Sequence, residues 1–163
     1  MASSRQEYFI LRSDVPIAKA NNFWRNLLGT QNAEHVMKGE LLVKEPLPQE
    51  SSHHSHAIYS LASNRHKQMS CSDTDVIPLS EDDYEWLAAI RKNMGRWRVY
   101  IQGDKLESAK ALKVGNSVWV SLPIGDFDLS PSFCHATVQY IGPLQDTPGR
   151  WIGVELKVRQ KWN

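Results

Sequence analysis

Apolar residues fall along the chain in short runs with two different spacings. Tyr8–Leu11 (YFIL) is an unbroken aromatic and aliphatic run of the length of a buried strand, although a helix segment can carry the same pattern. Ile17, Ala20, Trp24, Leu27 and Leu28 then recur at helical intervals, with Phe23 beside them. Ser13 or Asp14 can accept from free N–H groups at a helix start, Pro16 has no N–H to waste there, and Gly29 follows the last apolar residue. An amphipathic helix over 15–28 is expected, with its aromatic pair in the core rather than in a ligand site. Residues 37–43 (MKGELLV) read as a strand after a glycine turn, closed by Pro46 and Pro48, which remove ladder donors.

Residues 49–75 differ in kind. Ser, His, Asn and Gln dominate, and only AIYSLA can pair as a strand. So little apolar surface does not offset the entropy of ordering, and a mobile polar insert is expected. Periodicity returns after Val76. Ser80 can cap a helix whose third residue is Asp83, Leu79 can staple onto Tyr84, and Glu81, Asp82 and Asp83 suit the positive end of the dipole. Tyr84, Leu87, Ala88 and Met94 mark one face of a helix over 80–94, with Trp86 and Ile90 adjoining and Gly95 at its end. Arg91, Lys92 and Arg96 would then complement the negative end. The run WRVYI at 97–101 reads as a strand feeding a turn at Gly103 and Asp104, and 105–113 as a short helical or irregular connector.

Beyond Val114 the pattern becomes one of strands and turns. Val118, Val120 and Leu122 share one face of a strand and Trp119 takes the other. A strand over 133–141 places Cys134, Ala136, Val138 and Tyr140 on one face and His135, Thr137 and Gln139 on the other. Gly142 and Pro143 read as a turn, residues 145–149 as a Pro/Gly loop, and 151–156 as a third strand in which Gly153 lets another backbone come close. Short antiparallel strands joined this way point to a small β-barrel.

Composition narrows the chemistry. The 163 residues are 41% hydrophobic and 23% charged, with a formal net charge of +1, so nothing pulls the whole chain toward nucleic acid or an anionic membrane. No run approaches the ~18 apolar residues of a membrane span, and the N-terminus carries no secretory pattern. The two cysteines, Cys71 and Cys134, do not form a disulfide framework, and a cytoplasmic protein is expected. His53, His54, His56, His66 and Cys71 match no zinc spacing, so neither a metal nor a cofactor is expected. Cys134 and His135 are strand neighbours whose side chains point to opposite faces, and no nucleophile elbow, P-loop or dinucleotide fingerprint occurs. The chain is therefore expected to have no catalytic residue of its own.

One constellation is more specific. Val114, Gly115 and Val118 lead into Val138, Tyr140 and Gly142, followed by Pro148, Gly149, Trp151, Gly153, Val154, Glu155 and Leu156. The succession VGNSVWV, ATVQYIGPL, PGRWIGVEL resembles the first half of a CAP-Gly domain, with Ala136 where that family usually has glycine. Upstream, Tyr8–Leu11, Lys38-Gly39, Asp75-Val76 before the capped helix, and Leu112-Lys113 entering the barrel are similar in layout to the N-terminal part of cylindromatosis-type (CYLD-like) deubiquitinases.

The resemblance implies an α+β chain in four parts: an N-terminal α/β lead-in (1–48), the polar insert (49–75), a helix-strand continuation (76–113) and a partial CAP-Gly domain (114–163). The last would be an incomplete SH3-like all-β barrel, because the family's G-K-N-D-G loop, which follows the G-V-E-L strand, is not found before Asn163. The implied function is that of a non-catalytic, protein-binding adaptor region, with tubulin tails or ubiquitin and NF-kappa-B signalling adaptors as partners and a cytoplasmic, cytoskeleton-associated location. The alternative is a fragment or isoform of a full-length cysteine-type deubiquitinase acting on linear and lysine-linked ubiquitin chains. Trp119, Tyr140, Trp151 and Gly153 are the candidate partner-binding residues; core packing is the competing and weightier reading for both tryptophans. A nucleic-acid role is disfavoured by charge, and the oligomeric state is not readable from the sequence.

Overall fold

The computed structural model describes residues 6–17, 35–45, 57–122 and 132–157. The fold is α+β, with antiparallel sheets and three helices among the described residues. Strand β1 (Tyr8–Leu11) lies inside a five-stranded sheet, and its alternation sends Ile10 to one face and Leu11 to the other, both fully buried. Next come β2 (Val15–Pro16) and β3 (His35–Val36), which pair as a two-stranded ribbon, and then β4 (Leu41–Lys44). Strands β5 (Ala57–Leu61), β6 (Asn64–Cys71) and β7 (Val76–Leu79) complete the large sheet, in the order β6-β5-β4-β1-β7. One face packs Leu11, Leu42, Tyr59, Leu61, Met69 and Cys71 with Val36 of the ribbon. The other packs Ile10 and Leu41 against Leu87 and Ala88 of the helical layer.

Two sequence expectations change here. Residues 57–75 are not an insert of little order: they form the β5–β6 hairpin and a 3-10 turn at Asp73–Asp75, capped reciprocally by Ser72 and Asp75. The mean polarity of β6 hid its alternation, in which Met69 and Cys71 face the core while His66, Gln68 and Ser70 stay outside, as an edge strand requires. Burial pushes the Tyr59 hydroxyl up to about 12 and the Cys71 thiol up to about 11, with Asp73 and Asp75 adding to the latter. Val15 and Pro16 are in a strand rather than the first turn of a helix, and Ile17 follows them out of regular structure; residues 18–28 of the expected helix, and 49–56, lie outside the described residues.

The predicted helix over 80–94 is shorter and is followed by a second one. Helix α1 (Glu81–Ala88) has the expected cap, with Ser80 Oγ accepting from the Asp83 N–H at 3.0 Å. Helix α2 (Asn93–Ile101) then takes the run expected as a strand, and α3 (Gly103–Lys110) takes the connector. Gly95 therefore sits inside a helix, and Arg96, expected at a solvated helix end, is 7% exposed. The break between α1 and α2 coincides with a buried polar hub. Arg96 Nε donates to the Ile90 carbonyl at 2.7 Å and Nη1 to Asn93 Oδ1 at 3.2 Å, while Asn93 donates to Glu40 Oε2 at 3.0 Å. Glu40 also pairs with Arg96 at 3.8 Å and accepts from the Ser63 N–H. This hub, which ties Asn93 to the sequence-distant Glu40, stands at the start of a helix where the period-two pattern of five residues predicts a strand. Gly39 makes the approach feasible: its φ is 85°, and a Cβ there would lie 2.0 Å from the Asn93 carbonyl oxygen.

The second sheet has the order β10-β9-β8, formed by β8 (Ser117–Leu122), β9 (Ser132–Leu144) and β10 (Thr147–Leu156). It is an open sheet among the described residues, not a closed barrel. Gly142 and Pro143 do not turn the chain; β9 runs through them, and the hairpin turns at Gln145 and Asp146, where Asp146 takes φ 58°. No helix among the described residues is long and apolar enough to cross a membrane.

Candidate functional site

The C-terminal sheet meets the helical layer chiefly along β10 among the described residues. Between Thr147 and Arg150 the β10 register shifts, and the chain at Gly149 presses on the end of α1. A Cβ at Gly149 would lie 2.3 Å from the Ala89 nitrogen and 2.7 Å from the Glu85 carbonyl oxygen, and its φ of 88° also favours glycine. Arg150 then pairs with Asp82 at 2.9 Å and with Glu85, its guanidinium 5.5 Å from the centre of the Trp86 ring. Lys110 of α3 completes the cluster by bridging Asp83 at 2.5 Å and Asp82 at 3.5 Å. Burial alone would raise the Asp83 carboxyl, but hydrogen bonds from Lys110 and Ser80 outweigh it and hold the group below the ordinary carboxylate range.

This docking assigns the two faces of the sheet. Arg150, Ile152 and Val154 share the side turned to α1, and Val138 opposite Val154 is fully buried. The other side carries Trp119, Phe133, His135, Thr137, Trp151 and Glu155 by the same alternation. Tyr140 joins them through a β-bulge. Val154 pairs with Val138, but Gly153 pairs with Tyr140, so Gln139 is an extra residue in β9 and every later side chain changes face. Tyr140 therefore does not share a face with Cys134, Ala136 and Val138 as strict alternation predicts.

All four sequence candidates, Trp119, Tyr140, Trp151 and Gly153, thus lie on one face. Trp119 is 70% exposed, which overturns the core-packing reading for that residue, and its ring meets His135 edge-on at 5.2 Å. Tyr140 is 41% exposed and donates its hydroxyl proton to the Pro143 carbonyl. Trp151 is half-buried and donates Nε1–H to the Pro148 carbonyl at 3.0 Å. With their polar atoms satisfied by nearby backbone, Tyr140 and Trp151 offer rings rather than hydrogen bonds. Gly153 has a different role from the expected one: a Cβ there would meet the Tyr140 Cβ at 3.1 Å, so it makes room for that side chain rather than for a second backbone.

Three further groups on this face were not singled out by the sequence. Phe133 is 63% exposed, and plain alternation with His135 and Thr137 would have found it. Ser117 and His135 lie within hydrogen-bond distance at 3.1 Å, and Gln139 donates to Glu155 at 2.7 Å; both pairs depend on register, which no sequence pattern specifies. As for nucleophiles, Cys71 is buried with its thiol pushed to about 11, and Cys134 faces away from His135. Among the described residues no group of three or more His, Cys, Asp or Glu is placed to hold a metal ion.

Comparison with known proteins gave no match to a family model, to a curated protein or to a solved structure.

Proposed function

We propose that the chain is a non-catalytic protein-binding module that engages its partner through the exposed aromatic face of the C-terminal sheet. The observation that carries this reading is the gathering of Trp119, Phe133 and Tyr140 on one uncovered face, each more than two-fifths exposed. Large aromatics are the commonest anchors of protein interfaces, and monomers seldom leave several of them together in water. The face also contains Gly142 and Gly153, which frame Tyr140, and these belong to the residues on which the CAP-Gly resemblance rests. The finer assignment follows that resemblance: a partial SH3-like CAP-Gly unit behind a lead-in of the cylindromatosis type, located in the cytoplasm and associated with the cytoskeleton. Its partners would be tubulin tails or adaptors of ubiquitin and NF-kappa-B signalling. A deubiquitinase of cysteine type enters only as a larger protein of which this chain would be a piece.

The test is capture by the immobilised chain, with tubulin tails and ubiquitin chains offered side by side. Trp119→Ala is expected to weaken capture at least ~30-fold, the loss of an interface anchor worth ~2 kcal/mol. Equal capture by the wild type and by both Trp119→Ala and Tyr140→Ala would overturn the reading.

A further inference from the structure

The register of the aromatic face has a symmetry that points to one occupant. The face is ordered in rows across the three strands. Trp119 lies beside His135, and Lys157 continues this row, because its N–H donates to the His135 carbonyl at 2.9 Å. The next row is Ser117, Thr137 and Glu155, so an ammonium and a carboxylate stand two residues apart at the end of β10, Lys157 being the residue just beyond it. One row further on, past the bulge, is Tyr140 beside Gly153; one row back, on the other side, is Phe133 beside Ser121. Glu155 and Lys157 are both exposed.

Consider a two-fold axis lying in the face, across the strands, between the Lys157 and Glu155 rows. Such an axis lays each strand over its own copy and exchanges the rows in pairs. Lys157 then meets Glu155 of the second copy, and the reverse, which gives two ion pairs. Tyr140 meets Phe133 of the second copy, and the reverse, so these two exposed rings find aromatic partners. Trp119, the most exposed ring, meets the small Ser117 of the second copy, and His135 meets Thr137. Charge with opposite charge, ring with ring, and large with small all follow from one axis, which is what an isologous interface requires.

We propose that the partner of this face is a second copy of the chain, packed face to face about that axis. The proposal rests on the reading of the face as a binding surface and names its occupant. A single three-stranded face is small beside the ~800 Å² a side of a standard interface, so a weak dimer is expected, with a dissociation constant on the order of 10–100 µM.

Sedimentation of the full chain over a concentration series through that range tests it. The wild type is expected to move from monomer to dimer mass. Glu155→Lys alone and Lys157→Glu alone place like charges opposite each other, and each is expected to weaken association at least ~10-fold. An equimolar mixture of the two variants restores opposite charges at both contacts of a heterodimer and is expected to associate within ~3-fold of the wild type. Both positions are exposed, so folding of the variants is checked directly by circular dichroism. A wild type that stays monomeric overturns the proposal, as does a dimer that the single reversals leave unchanged, or a mixture that fails to recover. If self-association fails while Trp119-dependent capture of another protein persists, only the identity of the occupant is wrong and the face remains a binding surface.

Discussion

The two sheets use the same device, antiparallel strands with alternating side chains, and treat their aromatic residues in opposite ways. In the five-stranded sheet the rings turn inward: Tyr59 is 1% exposed, Phe9 meets it edge-on at 5.2 Å, and Tyr8 stacks on Tyr84 at 4.1 Å. In the three-stranded sheet Trp119, Phe133 and Tyr140 are turned outward. The difference lies in cover. Both faces of the large sheet pack on other elements, whereas the small sheet is docked on α1 by β10 and, among the described residues, leaves Trp119, Phe133 and Tyr140 exposed on its other face. Aromatics therefore stabilise the first region and are left exposed in the second, where the proposed recognition would use them, and each experiment below either tests that division or moves one region toward the other.

The largest effect is expected at the buried hub. Arg96→Ala leaves Glu40, 5% exposed, without its cation and is expected to destabilise the chain by about 3–5 kcal/mol in denaturant unfolding. The double change Arg96→Met with Glu40→Gln removes both charges and is expected to cost less than the single one. If the double change costs as much, the hub acts through packing rather than charge.

Gly149→Ala comes next and addresses the seam itself. A methyl group there meets the α1 backbone closer than 3 Å in a left-handed conformation, which together amount to about 2–4 kcal/mol. Hydrogen exchange is the measure: β10 and β9 are expected to lose protection while β1 and β4 keep theirs. Uniform loss across both sheets would show that the two regions unfold as one unit.

How much of this was legible in the sequence follows from how local each determinant is. The Ser80 cap, β1, β8 and the third strand could be read because their signals lie within a few residues of one another. Helix α2 could not, because WRVYI fits either period and the decision comes from Glu40, which is distant in sequence but bonded to Asn93. β6 was hidden by averaging, since half of it faces water by design. At the site, the structure brings the sequence candidates Trp119, Tyr140, Trp151 and Gly153 to one face, but the face of Tyr140 could not be read, because the bulge at Gln139 is set by pairing with β10 rather than by any residue of β9.

Alkaline pH separates the regions by chemistry. Cys71 and Tyr59 in the large sheet have folded values near 11 and 12, above their ordinary 9.0 and 10.0. Both groups stay protonated longer in the folded chain, so the stability they contribute is intact below pH ~9 and is lost as pH rises through ~9 to 12. The loss is expected to be on the order of 2–3 kcal/mol for each group, and Cys71→Ala is expected to flatten its lower part. A thiol reagent at neutral pH should label the half-buried Cys134 promptly and Cys71 only on unfolding.

The smallest effect on stability is expected where the effect on binding is largest. Trp119→Ala removes a ring that is 70% exposed and touches mainly the edge of His135, so the folded chain should lose no more than about 0.5 kcal/mol. Tyr59→Ala removes a ring of similar kind from the other sheet and is expected to cost about 3–5 kcal/mol. Measured side by side in thermal unfolding, the pair gives the contrast between the regions directly. A large stability loss from Trp119→Ala would mean that the ring is held by packing within the chain, and the outward face would then be a structural surface rather than a recognition surface.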